Sequence, residues 1–229
     1  MEGINRLFQV LISPGEAFES AKKAPKIVLP LIILSLIMTG ALGYYSFQMN
    51  APVVIEKQLE LSGKADKYTD AQKDQIVTMQ SKVAKYSMPI GALVGTPIIL
   101  LIIGLYFYIA AKLMGTETSY AQAAAVSVYS SATGILWALA AIIIMSVSDT
   151  STTIVQNLVP SNLAYFFDMQ TVGRKVFFLL QSIDIFSIWK FVLMIIGFSV
   201  ITEAKPAKSA AVVLIPWVLY LAVTVLVFM

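Results

Sequence analysis

The feature that most constrains this chain is where its charges are missing. No Asp, Glu, Lys or Arg occurs between Lys26 and Glu56, between Lys85 and Lys112, between Glu117 and Asp149, or after Lys208, intervals of 29, 26, 31 and 21 residues. A helix rises 1.5 Å per residue, so each interval can hold the roughly 20 apolar residues that cross the hydrocarbon core of a bilayer. Of the 229 residues 58% are hydrophobic and 13% charged, the latter about half of the ~25% typical of soluble domains. An ordinary soluble globule is excluded.

The chain has no Cys and no His. That removes disulfide frameworks, thiol catalysis, histidine metal sites and histidine general bases. No Walker-type loop, acidic metal cluster or cofactor-binding pattern occurs, and an intramembrane aspartyl protease would need two membrane Asp where only Asp184 qualifies. An enzyme is not expected. The net charge of +3 comes from basic residues scattered through short loops beside 13 acids. With no basic stripe, nucleic acid is not an expected partner.

Residues 1–26 read as an amphipathic tail. Ile4, Leu7, Phe8 and Leu11 fall at i, i+3, i+4 and i+7 against Asn5, Arg6 and Gln9, which suits a helix lying in the membrane interface. Ser13-Pro14-Gly15-Glu16 has the chemistry of a capping box and predicts a second short helix that Pro25 cannot continue. The spacing then predicts one membrane domain over 1–229, an all-α bundle with spans at about 27–48, 87–111, 120–147, 176–202 and 210–228. Ala41-Leu42-Gly43 resembles a leader-cleavage pattern, but the 26 residues ahead of the apolar run are long for a leader, so the run is read as a span. Residues 51–86 are predicted to form an extramembrane helical hairpin broken at Ser62-Gly63, with a capping box at Thr69-Asp70-Ala71-Gln72. The stretch after Asp149, with Pro160 and Tyr165-Phe166-Phe167, is too short to span and reads as interfacial or partly re-entrant.

Two sets of residues carry functional interest. Gln181, Asp184 and Lys190 are the candidate intramembrane polar site, because a charge at mid-bilayer costs about 2.5–3.5 kcal/mol even on insertion scales. Gln181 and Asp184, three apart, would share a helix face, whereas Lys190 would lie on another. One reading buries Asp184 in a long span from Val176. The other starts the membrane segment near Ile185, with Asp184 at the headgroups, Trp189 as an interface anchor and Lys190 snorkelling back. The second set is for helix packing: Gly91-x-x-x-Gly95 in span two, expected to pack within the chain, and Ala123, Ser127 and Ser131 in span three, expected to face the bundle.

Basic residues of the short loops divide seven to eight between the two sides for five spans, a tie. Lys22, Lys23 and Lys26 crowd the start of span one while the next basic residue after it is Lys57, which favours a cytoplasmic N-terminus and an external C-terminus.

Ser13-Pro14-Gly15-Glu16-Ala17-Phe18 before span one, Ser119-Tyr120-Ala121-Gln122-Ala123 with Tyr129 in span three, and Asp184-Ile185-Phe186-Ser187-Ile188-Trp189 running on to Gly197 in span four occur in an order that resembles the prokaryotic branch of the Yip-domain family. These proteins are relatives of the eukaryotic Ypt/Rab-interacting membrane proteins. The resemblance covers nearly the whole chain and implies five membrane helices and a cytoplasmic N-terminus. Eukaryotic members act in vesicle trafficking and bind small GTPases and one another. This sequence departs from them in its short tail of about 26 residues and in lacking a D-L-Y-G-P type motif, which leaves a Rab-like partner unsupported.

The leading expectation is a non-enzymatic protein of a prokaryotic cytoplasmic membrane. It would organise membrane components, in a trafficking-like process or another, by lateral packing against other membrane proteins or itself within the lipid bilayer. The alternative is a transporter or channel for a lipid or small solute that uses the span-four polar residues.

Overall fold

The computed structural model describes residues 2–63 and 65–228. Among them all regular elements are helical, and the only strand-like contact is an isolated antiparallel bridge between Asn162 and Asp184. Two short helices, α1 (Glu2–Ile12) and α2 (Pro14–Lys23), precede α3 (Val28–Gln48) and α4 (Ala51–Leu61). Then come α5 (Asp70–Leu113), α6 (Tyr120–Ser130) and α7 (Thr133–Val147), the short α8 (Met169–Val172) and α9 (Arg174–Gln181), and finally α10 (Ile185–Thr202) and α11 (Pro206–Val223). Five segments among the described residues are long and apolar enough to cross a membrane: α3, α5, α6 with α7, α10, and α11 with the turn that follows it. The protein is an all-α, multi-pass membrane bundle.

Two segment boundaries differ from the sequence expectation. The hairpin expected over 51–86 has no separate second arm: α4 ends at Leu61 and Asp70–Leu113 is one helix of 44 residues, carrying Pro89 and Pro97 without interruption. At 1.5 Å per residue that helix is about 66 Å long, twice the bilayer core, so its charged first turns extend beyond it. The reciprocal bonds at its start are formed, from the Thr69 N–H to Gln72 Oε1 (2.9 Å) and from the Gln72 N–H to Thr69 Oγ1 (3.4 Å). The span expected over 176–202 is likewise divided, because α9 ends at Gln181 and α10 begins at Ile185.

The chain divides into two compact units. The first comprises Met1–Met38, Leu93–Leu136 and Phe186–Leu219. Here α1 and α2 dock onto α6, and the core gathers Leu7, Val10, Phe18, Phe107, Tyr129 and Phe198. Burying a large apolar side chain that water would otherwise wet contributes about 1.5–3 kcal/mol, so Leu7, Val10 and Phe18, all outside the spans, hold the tail in place. The tail's inner face differs from the expected stripe: α1 buries Gly3, Arg6, Leu7 and Val10 and leaves Phe8 exposed. Arg6, expected on the wet side, is buried because Ser20 Oγ (2.9 Å) and the Ala24 carbonyl accept its N–H groups, with Glu2 4.0 Å away. The capping box expected at Ser13 is absent. Ser13 ends α1, its N–H donating to the Gln9 carbonyl (2.7 Å), and its side chain makes no cap bond to α2.

The second unit comprises Thr39–Ala92, Trp137–Ile185 and Tyr220–Met229. Its extramembrane part joins the loop after α7 to the end of α3 and to α4. The Asn50 N–H donates to the Ser151 carbonyl, the Tyr45 hydroxyl to that of Thr153 and the Lys57 ammonium to that of Thr152, each at 2.7 Å. Two 3-10 turns, Val155–Asn157 and Leu163–Phe166, carry the chain on to α8 and α9.

Candidate functional site

The polar residues nominated from the sequence lie at the start of α10. Ser182, Ile183 and Asp184 interrupt the helix, and the chain there pairs with residues 161–163: the Leu163 N–H donates to the Ile183 carbonyl (3.1 Å) and the Ile185 N–H to the Ser161 carbonyl (3.0 Å). Ser and Asp compete with helix by bonding nearby backbone or side chains, which makes them suited to such a break. Asp184 is half-buried and accepts the Ser161 hydroxyl. It stands one residue before the first residue of α10, where the positive end of a helix dipole favours a carboxylate. Gln181 donates from Nε2 to Asn157 Oδ1 (3.0 Å). The expected shared helix face of Gln181 and Asp184 is thus lost to the break; both instead meet the segment 157–161.

Gln181 also lines a cavity of about 170 Å³ with Arg174, Phe177 and Phe178 of α9, Gln58 of α4 and Gln156. A neighbouring cavity of about 260 Å³ is lined by Lys57, Glu60, Thr152 and Asn157 among others. Asn162, 3% exposed, donates to the Gln156 carbonyl (2.9 Å) and leaves its Oδ1 without a partner.

Lys190 and Trp189 belong to the first unit and lie inside the apolar stretch of α10. Lys190 is half-buried and forms none of the ion pairs found among the described residues; Trp189 is exposed.

Of the packing candidates, Ala123 and Ser127 are buried, and the Ser127 hydroxyl is within reach of the Leu100 (2.7 Å) and Ala124 (2.9 Å) carbonyls. Ser131 donates to the Ser127 carbonyl (2.8 Å). The close approach of α5 to α6 is made by Gly104, where an added Cβ would lie 2.7 Å from Ala124 Cα. Gly91 is exposed and Gly95 half-buried, and an added Cβ at either meets nothing within 4 Å, so the side-chain face of this pair is open, where packing within the chain is the expectation.

Phe18, Ser119, Gln122, Tyr129 and Gly197, from the stretches that carry the family resemblance, lie in the first unit. The Phe18 ring lies on Gly197, where an added Cβ would stand 2.6 Å from Phe18 Cζ. The Tyr129 hydroxyl donates to the Lys26 carbonyl (2.8 Å), and Gln122, which closes a capping box with Ser119, donates from Nε2 to the Lys22 carbonyl (2.7 Å). Two ion pairs add to this, Lys26 with Glu2 (2.7 Å) and Lys22 with Glu203 (2.6 Å), and each ammonium holds its carboxyl below the usual glutamate value. Gly104 and the Phe18–Gly197 pair were not nominated from the sequence. The available signal was the run Ala123-Ala124-Ala125, whose small side chains permit a helix to approach closely.

A tail locked onto a helical bundle and a polar cap beside the start of α10 define a multi-pass helical membrane protein. The chain belongs to the Yip1-domain family, whose model matches residues 8–227. It is similar to the membrane protein YknW of Bacillus subtilis (strain 168), with 27% identity over 195 residues, 83% of this chain and 76% of that protein. No solved structure matches the chain.

Proposed function

We propose that this Yip1-domain protein is a non-enzymatic organiser of other membrane components, in a trafficking-like process or another, acting through lateral helix packing. The observation that carries the reading is the open face at Gly91 and Gly95. Glycines four apart let a second helix approach closely, and an added Cβ at either would meet no other side chain or neighbouring helix within 4 Å. The apolar stretch of α5 is 22% buried by the rest of the chain, so lipid or another helix covers the remainder. The partner is a second copy or another membrane protein, and the chain works as one domain of a prokaryotic cytoplasmic membrane with its N-terminus inside. Transport has less support, since Gln181 and Asp184 lie before α10 and bond to Asn157 and Ser161.

Native mass spectrometry from membrane nanodiscs tests this, together with crosslinking in native membranes. A discrete oligomer or a reproducible protein partner is expected, and Gly91→Leu with Gly95→Leu should abolish it without unfolding the chain, because the added side chains enter open space. A strictly monomeric protein without partners would overturn the proposal.

A further inference from the structure

Helix α9 has two faces of opposite chemistry. Arg174, Phe177, Phe178 and Gln181 recur at i, i+3, i+4 and i+7 and line the 170 Å³ cavity together with Gln58 and Gln156. On its other side Val176 and Leu179, with Ile183 just beyond, are exposed by 46%, 38% and 40%. Only residues 182–184 separate α9 from Ile185, where the apolar stretch of α10 begins. A helix so close to a membrane span, with aliphatic side chains turned outward, lies at the headgroup layer with that face towards acyl chains.

We propose that the cavity binds a glycerophosphate group, supplied by the headgroup of an anionic lipid. Among its described lining residues the only formal charge is the Arg174 guanidinium, so the complementary ligand is an anion. Asp66 takes Nη2 of Arg174 (2.9 Å) and fixes the side chain. A planar guanidinium has five N–H donors, enough to hold a phosphate as well. Gln58, Gln156, Gln181 and Ser62 supply neutral donors and acceptors for ester and hydroxyl oxygens, and Phe177 and Phe178 an apolar wall for the glycerol carbons. The volume decides the size: about 170 Å³ is below the roughly 300 Å³ at which pockets for drug-sized molecules begin. It suits a headgroup fragment whose chains stay outside. This inference is independent of the open face on α5.

The test reconstitutes the full chain in nanodiscs of phosphatidylcholine with or without phosphatidylglycerol and counts retained lipid by native mass spectrometry. A parallel arm adds free glycerol 3-phosphate. One retained phosphatidylglycerol is expected, with occupancy lowered at least tenfold by Arg174→Gln and severalfold by Gln181→Leu. Asp66→Asn breaks the same ion pair as Arg174→Gln but keeps the guanidinium, so it should retain the lipid and separates binding from folding. Binding of glycerol 3-phosphate without the lipid would place the same site on a soluble ligand and overturn the lipid source. Equal occupancy in wild type and Arg174→Gln, or no binding of either probe, would overturn the site.

Discussion

The ring of Phe18 occupies the space that a side chain at Gly197 would need, with the glycine's missing Cβ 2.6 Å from Cζ. Phe18 is fully buried, so the ring has no open side to move into.

Gly197→Ala therefore tests the fit. Alanine improves helix propensity by up to about 1 kcal/mol, whereas overpacking a tight core costs about 1–3 kcal/mol, so a net loss of up to about 2 kcal/mol is expected. Phe18→Leu in the same chain should recover part of it. Thermal unfolding in detergent, followed by ellipticity, measures both, and an effect of Gly197→Ala that is the same with and without Phe18→Leu would mean that the ring is not seated on this helix.

Tyr129→Phe removes one hydroxyl and its bond to the Lys26 carbonyl. The expected loss is about 1 kcal/mol, with the apolar packing of the ring kept. Faster amide exchange should appear in the connection between α2 and α3 and not in α7.

Acid should loosen the same region. Glu2 and Glu203 titrate below the ordinary glutamate value because an ammonium bonds each. A depressed carboxyl contributes stability above its unfolded value, near 4.3 for Glu, and loses it as pH falls through the folded value. Melting temperature is expected to stay level down to about pH 5 and to fall below about pH 4. The double variant Glu2→Gln and Glu203→Gln should show a shallower fall. High salt should weaken these pairs at neutral pH, since both carboxylates are exposed.

Asp184→Asn keeps an acceptor for Ser161 and should cost only the charge at a helix start, about 0.3–1 kcal/mol. Asp184→Ala and Ser161→Ala each remove the bond, and combined they should cost less than the sum of the two. Strict additivity would show that the two side chains act independently.

The parts of this fold that could be read from sequence are those set by local chemistry. Charge-free intervals mark four of the five apolar segments, the exception being Ile185–Thr202 with its Lys190, and Thr69 with Gln72 forms the box its spacing predicts. What escaped depends on residues far apart in the chain. The break at Ser182 sits in an apolar run and is fixed by backbone pairing with residues 161–163. Arg6 reads as a surface residue until Ser20 and the Ala24 carbonyl are seen around it. At the candidate site, Asp184 and Gln181 stand out as polar in an apolar run, while nothing local marks Arg174, Gln58 and Gln156, because the cavity they share joins three separate segments.

The partnership of Phe18 with Gly197 also sets an order of events at the ribosome. Phe18 is made about 180 residues before the glycine it rests on. At the usual 5–20 residues per second, that is a wait of roughly 10 to 40 s. Throughout it, Phe18 lacks part of the surface that will cover it, and insertion of the fourth membrane helix ends its exposure. A chain stalled before residue 197 would present this tail to chaperones and proteases.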